Sequence, residues 1–181
     1  MATIRLFSDT DAAFQVQEAL VGRDFLLKEA KERITSKTVF LSHSTKDDHL
    51  VPGVIAFFKT FNVGVYTDDF DKRLPNPPNT ATAMILKSEI QSIPRLVVLA
   101  TPNTHTSRWI PWELGLADGL RGIPPNAILP STPEGQEPNW LKSEYFSLYP
   151  KILKIDEVWR VTDPRGTVSW PLRDWLHASV K

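Results

Sequence analysis

Glu113, in the run Trp109-Ile110-Pro111-Trp112-Glu113, and the pair Ser42-His43, closing an apolar and β-branched run, are where this sequence offers chemistry. A carboxylate moves protons or stabilises a developing cation, a hydroxyl holds a ligand oxygen, and an imidazole titrates near neutral pH. Tyr66, Asp68 and Asp69 form a third group after a second short apolar run. Each residue also has a plainer use. An acidic residue early in a helix opposes the dipole, an aspartate after a strand starts a turn, and a tryptophan fills a core by its area. Packing is the expected role of Trp112, turn formation that of Asp69, and Ser42 is a safer contact residue than the loop imidazole of His43.

Other chemistries are excluded by what is missing. The 181 residues contain no cysteine, which removes disulfides, thiolate catalysis and thiolate metal sites. The four histidines, His43, His49, His105 and His177, have no HExxH or His-x-His spacing, so no metal is expected. A dinucleotide fold carrying GxGxxG would place it where His43-Ser44-Thr45-Lys46 stands, and no GxxxxGK[ST] run occurs. A phosphoacceptor receiver would end its third strand in aspartate, where this chain has Ala100-Thr101. Lys plus Arg and Asp plus Glu both number 21, so no net field recommends nucleic acid or an anionic membrane as partner. The opening MATIRLFSDTDAAF does not read as a signal peptide, and no stretch is long and apolar enough to be expected to span a bilayer. The expected location is cytoplasmic.

The elements that must position these residues alternate. Thr38–Ser42 reads as a buried first and central strand. A helix follows within 44–60, with Val51, Val54, Ile55 and Phe58 on one face and Thr45 and Asp48 in its first turn. Val63–Tyr66 is a second strand, running into the proline-rich loop Thr67–Asn79. Thr80–Ser92 predicts a helix with Ala83, Leu86, Ile90 and Ile93 inward, and Arg95–Leu99 a third strand. The next helix starts at Ser107 or at Pro111; only the earlier start puts Trp109 and Glu113 on one face at i and i+4. Asn126–Pro130 and Lys151–Ile155 are the fourth and fifth strands, and Pro171–Ala178 a closing helix capped by Ser169. The expected fold is α/β: a flavodoxin-like, doubly wound parallel sheet of about five strands with helices on both faces. Residues 1–37 read as an N-terminal helical extension, polar and helical over 10–34, and 38–181 as one domain. In such a sheet ligands gather beyond the carboxyl ends of the strands, which selects Ser42, His43, Tyr66, Asp68, Asp69, the 101–107 loop and the helix carrying Glu113.

Taken in order, the segments Val39–Asp47, Val65–Asp68 and Ser107–Ala117 resemble the bacterial branch of the TIR (Toll/interleukin-1 receptor) family over roughly residues 38–130. That resemblance implies cleavage of the nicotinamide N-glycosidic bond of NAD. The family's tryptophan and glutamate, four residues apart, are matched by Trp109 and Glu113. NAD is then the substrate, no cofactor is needed, and the products are nicotinamide with linear, cyclic or conjugated ADP-ribose. Ser42, His43, Tyr66, Asp68 and Trp109 are the expected substrate-binding residues. The chemistry is economical, because nicotinamide leaves neutral without an acid, and one carboxylate can stabilise the oxocarbenium-like ribose. The resemblance further implies self-association through the Thr67–Asn79 loop, whose alternative is a stiff loop lying on its own domain. It also implies a role in anti-phage defence and a separate effector protein. Two other readings stay open: a non-enzymatic TIR interaction module, and an N-glycosidase resembling the nucleoside deoxyribosyltransferases.

Overall fold

A computed structural model describes residues 3–8, 11, 37–132 and 145–180. The polar run expected to be helical over 10–34 lies outside these apart from Asp11. The described elements are β1 (Ile4–Arg5), β2 (Lys37–Ser42), α1 (Val51–Lys59), β3 (Gly64–Tyr66), α2 (Thr80–Ser92), β4 (Arg95–Ala100), α3 (Trp109–Arg121), β5 (Asn126–Pro130), β6 (Lys151–Ile155), β7 (Val158–Thr162), β8 (Ser169–Pro171) and α4 (Leu172–His177).

Strands β3, β2, β4, β5 and β6 lie side by side in that order and all pair in parallel. This is the expected doubly wound arrangement, in which β2 is internal because the chain steps to one side for β3 and to the other for β4. The sheet holds more strands than expected. β7 and β8 continue it antiparallel beyond β6, and β1 pairs antiparallel with the far end of β6. The β6–β7 turn places Asp156 and Glu157 at positive φ, as a two-residue hairpin turn of matching twist requires. Asp163 closes the β7–β8 turn by accepting from the Val168 amide at 2.7 Å, with Gly166 left-handed at φ +71°.

Alternate strand residues point to opposite faces, so the parallel strands feed two cores. On one face Val39, Leu41, Val65, Val97, Leu99 and Leu129 pack against α1 and α4. On the other Phe40, Tyr66, Leu96, Val98 and Ile128 pack against α2 and α3. α1 departs from the one-faced pattern, since Val51 through Phe58 are all buried. Its start also differs from expectation. Ser44, not Thr45, caps a short 3-10 turn at Thr45–Asp47, and the α-helix begins six residues later with Pro52 in its first turn. At the other end of the chain Ser169 does not cap α4; it belongs to β8, where its hydroxyl accepts from Arg160 Nε at 2.8 Å.

Phe57 on α1 joins parts distant in sequence. Its ring centroid is 5.4 Å from Phe7, next to β1, and 4.8 Å from Trp159 on β7. A buried ring meeting aromatic neighbours on several sides leaves a cavity that no single shift can fill. Phe57→Ala is therefore expected to lower the unfolding free energy by about 3–5 kcal/mol in urea titrations. Met84→Ala, on the exposed face of α2, should change it by less than about 0.5 kcal/mol.

Candidate active site

The carboxyl ends of β2, β3 and β4 open on one cleft of about 350 Å³, lined by His43, Ser44, Thr45, Lys46, Asp68, Thr106, Ser107, Arg108, Trp109 and Glu113. The strand order creates it. β2 lies between β3 and β4, so the loops after all three converge on the start of α3.

α3 begins at Trp109, with Arg108 as its N-cap. Trp109 and Glu113 therefore sit one turn apart on one face, as the earlier helix start requires. Trp109 is half-buried and its indole meets Trp112 edge-on at 5.5 Å. Trp112 is 38% exposed, so it does not fill a core as expected. Glu113 is only 3% exposed, and Ser42 Oγ donates to its Oε2 at 2.5 Å. Burial, and then the charge of Asp68, push the Glu113 carboxyl up to about 7, while the Ser42 hydrogen bond works the other way.

His43 follows Ser42 and is held by the second loop. Its Nε2 lies 2.8 Å from Asp69 Oδ2 and 3.5 Å from Asp48 Oδ1. Burial opposes a charge on the imidazole, but the Asp69 hydrogen bond and the charges of Asp69, Asp68 and Asp48 outweigh it and raise its pKa. Asp68 is itself raised, by burial first, although His43 pulls it back. His43, Asp68 and Asp69 offer three potential ligand atoms within 4.8 Å of one another, an assembly from two loops that linear histidine spacing does not reveal. The protonated imidazole itself supplies positive charge to those aspartates.

Two networks fix the surrounding loops. Asp47, 1% exposed, accepts from Thr101 Oγ1 at 2.6 Å and Asn103 Nδ2 at 2.7 Å, clamping the loop after β2 to the loop after β4. The loop after β3 is tied down by Asp71, which accepts from Tyr66 Oη at 2.9 Å and from Arg73. Arg73 also donates to Glu89 on α2 at 2.5 Å, and Lys37 reaches the other Glu89 oxygen at 2.6 Å. Hydrogen bonds from Arg73 hold Asp71 down to about 2. Phe70 and Leu74, the apolar residues of the Thr67–Asn79 loop, are partly buried against the two cores.

Of the residues expected to bind substrate, His43, Asp68 and Trp109 line the cleft together with Glu113. Ser42 lies behind Glu113 and orients it. Tyr66 does not reach the cleft: its ring packs 5.1 Å from Phe40 and its hydroxyl serves Asp71. Asp69, expected chiefly to turn the chain, is the partner of His43. Lys46 and Arg108 also line the cleft, and a lone exposed cation carries no periodicity to mark it in the sequence. Their only signal was position, one in the loop after β2 and the other next to Trp109.

No family model matches the chain. It is 31% identical over 147 residues, 79% of its length, to a Bacillus cereus (strain MSX-D12) protein named probable 3' cyclic ADP-D-ribose synthase ThsB', of which it covers 69%. It is 32% identical over 81 residues, 42% of its length, to a Cytobacillus dafuensis protein provisionally named cyclic ADP-D-ribose synthase TIR2, of which it covers 21%.

The Glu113 shift has a definite sign for stability. A carboxyl raised from 4.5 to about 7 on folding contributes stability that is fully present below pH 4.5 and is lost as pH rises through about 7. Glu113→Gln keeps a neutral acceptor for Ser42 and loses nothing on that path. Its stability relative to the parent should rise between pH 5 and pH 8 by about 2–3 kcal/mol, read by urea unfolding at both values.

Proposed function

This chain belongs to the bacterial TIR family, and from that premise we propose that it breaks the nicotinamide N-glycosidic bond of NAD, using Glu113 at the floor of the cleft. The observation that carries this reading is the buried carboxylate one helical turn from Trp109, in a cleft whose described borders also carry Lys46 and Arg108.

The cleft's charge is segregated to suit such a molecule. Glu113 and Asp68 face its interior, where a pyridinium riboside would sit, and the indole of Trp109 offers a flat wall for the nicotinamide ring. Lys46 and Arg108 are exposed, where a diphosphate would lie. As the C1′–N1 bond breaks, its electron pair goes to the ring nitrogen and nicotinamide leaves neutral. The ionised Glu113 stabilises the positive charge left on the ribose. Ser42 holds that carboxylate in place, and Asp47 holds the loops that shape the cleft. Water adding to C1′ gives ADP-ribose and a proton; a hydroxyl of the same molecule adding there gives a cyclic product and a proton. The names of both relatives favour the cyclic route. Such a product would act as a signal in defence against phage, read by a separate effector protein.

Nicotinamide release from NAD, followed by chromatography, tests the reading. The parent should turn over and Glu113→Ala should be slower by at least about 100-fold. Equal release from both would remove Glu113 as the catalyst, and none from either would favour an interaction module. Because Glu113 acts ionised, kcat/KM should climb with pH to a plateau above about 7.

Lys46→Gln and Arg108→Gln provide a separate check on how the substrate lies. Each should raise the KM for NAD by about tenfold, with little change for nicotinamide riboside, which lacks the diphosphate. An equal rise for both compounds would place the diphosphate elsewhere.

A further inference from the structure

A second, larger cavity of about 650 Å³ opens at the opposite end of the sheet, below the amino ends of β4 and β5. Two arginines line it. Arg95 opens β4 and is 3% exposed; Arg121 closes α3 and is half-buried. Among the described residues neither has a carboxylate partner. Their hydrogen bonds go to neutral acceptors: Arg95 Nη2 donates to the Ala178 carbonyl at 2.7 Å, Arg121 Nη1 to the Ile90 carbonyl at 2.6 Å, and Arg121 Nε to Asn126 Oδ1 at 3.4 Å. Arg95 Nε and Arg121 Nη2 are buried with no acceptor.

Two guanidiniums placed together without an anion are costly, because each loses hydration and each repels the other. Burial, and then the charge of Arg121, hold Arg95 down to about 10. Most of the remaining wall is apolar, with tryptophan and proline faces. Trp175 stacks on Arg95 at 4.5 Å and spends its Nε1 on the Pro124 carbonyl, whereas Trp170 on β8 is 45% exposed. Two carboxylates also border the cavity. Asp163 is occupied by the Val168 amide and the Thr167 hydroxyl, and Asp174 is exposed on α4.

We propose that this cavity binds a small molecule carrying an oxyanion, carboxylate or phosphate, on a flat apolar body. The oxyanion sits against the Arg95 and Arg121 side chains that line the cavity and removes their repulsion. The flat body lies on Trp170 and the neighbouring prolines. The site is separate from the cleft of Glu113, which opens at the other end of the strands.

Isothermal titration of the full chain with phenyl phosphate, benzoate, inorganic phosphate and benzamide tests it. Phenyl phosphate or benzoate should saturate one site, and the tighter of the two identifies the oxyanion. Benzamide, which has the ring without the charge, should not bind; inorganic phosphate should bind at least about tenfold more weakly than phenyl phosphate. Arg121→Gln should weaken the charged ligands about tenfold or more. Trp170→Ala, at an exposed position that does not threaten folding, should erase the advantage of phenyl phosphate over phosphate. Glu113→Gln should bind as the parent does. The proposal is overturned by no saturable binding up to about 10 mM, by benzamide binding as well as benzoate, by unchanged affinities in Trp170→Ala, or by binding that disappears in Glu113→Gln.

Discussion

Glu113, with 3% of its surface in water and, among the described residues, the Ser42 hydroxyl as its hydrogen-bond partner, sets the character of this protein's cleft. Burying a charge costs several kcal/mol unless it is answered, and Ser42 answers only part of it. Glu113 is consequently poised between its two protonation states near neutral pH. That position needs β2 to deliver Ser42 at its last residue and α3 to present its fifth. It also needs the sheet to bring the two together across a separation of 71 residues.

The neighbouring acids and base extend the same electrostatic problem. Asp68 adds negative charge beside Glu113, and the His43 imidazole, gripped by Asp69, supplies positive charge against both. Loop geometry decides these distances, so the loops are tied. Asp47 binds the first loop to the third, and the chain of Tyr66, Asp71, Arg73, Glu89 and Lys37 pins the second against α2. The Thr67–Asn79 loop is thus a fastened wall of its own domain in this conformation.

The two ends of the sheet handle charge differently. At the carboxyl end, carboxylates surround a protonatable imidazole, and exposed cations border the cleft. At the amino end, Arg95 and Arg121 line one cavity and, among the described residues, hydrogen-bond to neutral acceptors. Parallel strands make this separation possible, because all loops of one kind leave from the same end.

The alternation of buried strands and amphipathic helices was legible in the sequence, and α2 begins and ends where its pattern predicts. Hydrophobic period is a local property, readable wherever packing follows it. α1 is the instructive departure: buried all round, its beginning was decided by Pro52 and by the preceding 3-10 turn rather than by its stripe. The β7–β8 hairpin went unexpected because its strands are short and half-exposed, although Asp163-Pro164-Arg165-Gly166 is turn chemistry in plain view. The sequence by itself determined the fold class, the family resemblance and the candidacy of Glu113 beside Trp109. Only the tertiary structure decided that α3 starts at Trp109, that Ser42 orients the carboxylate, that Tyr66 faces away, and that Asp69 grips His43. It alone brings Arg95 and Arg121 to the wall of one cavity. Those outcomes depend on side chains from different loops meeting within a few ångströms, and no spacing along the chain encodes a distance through space.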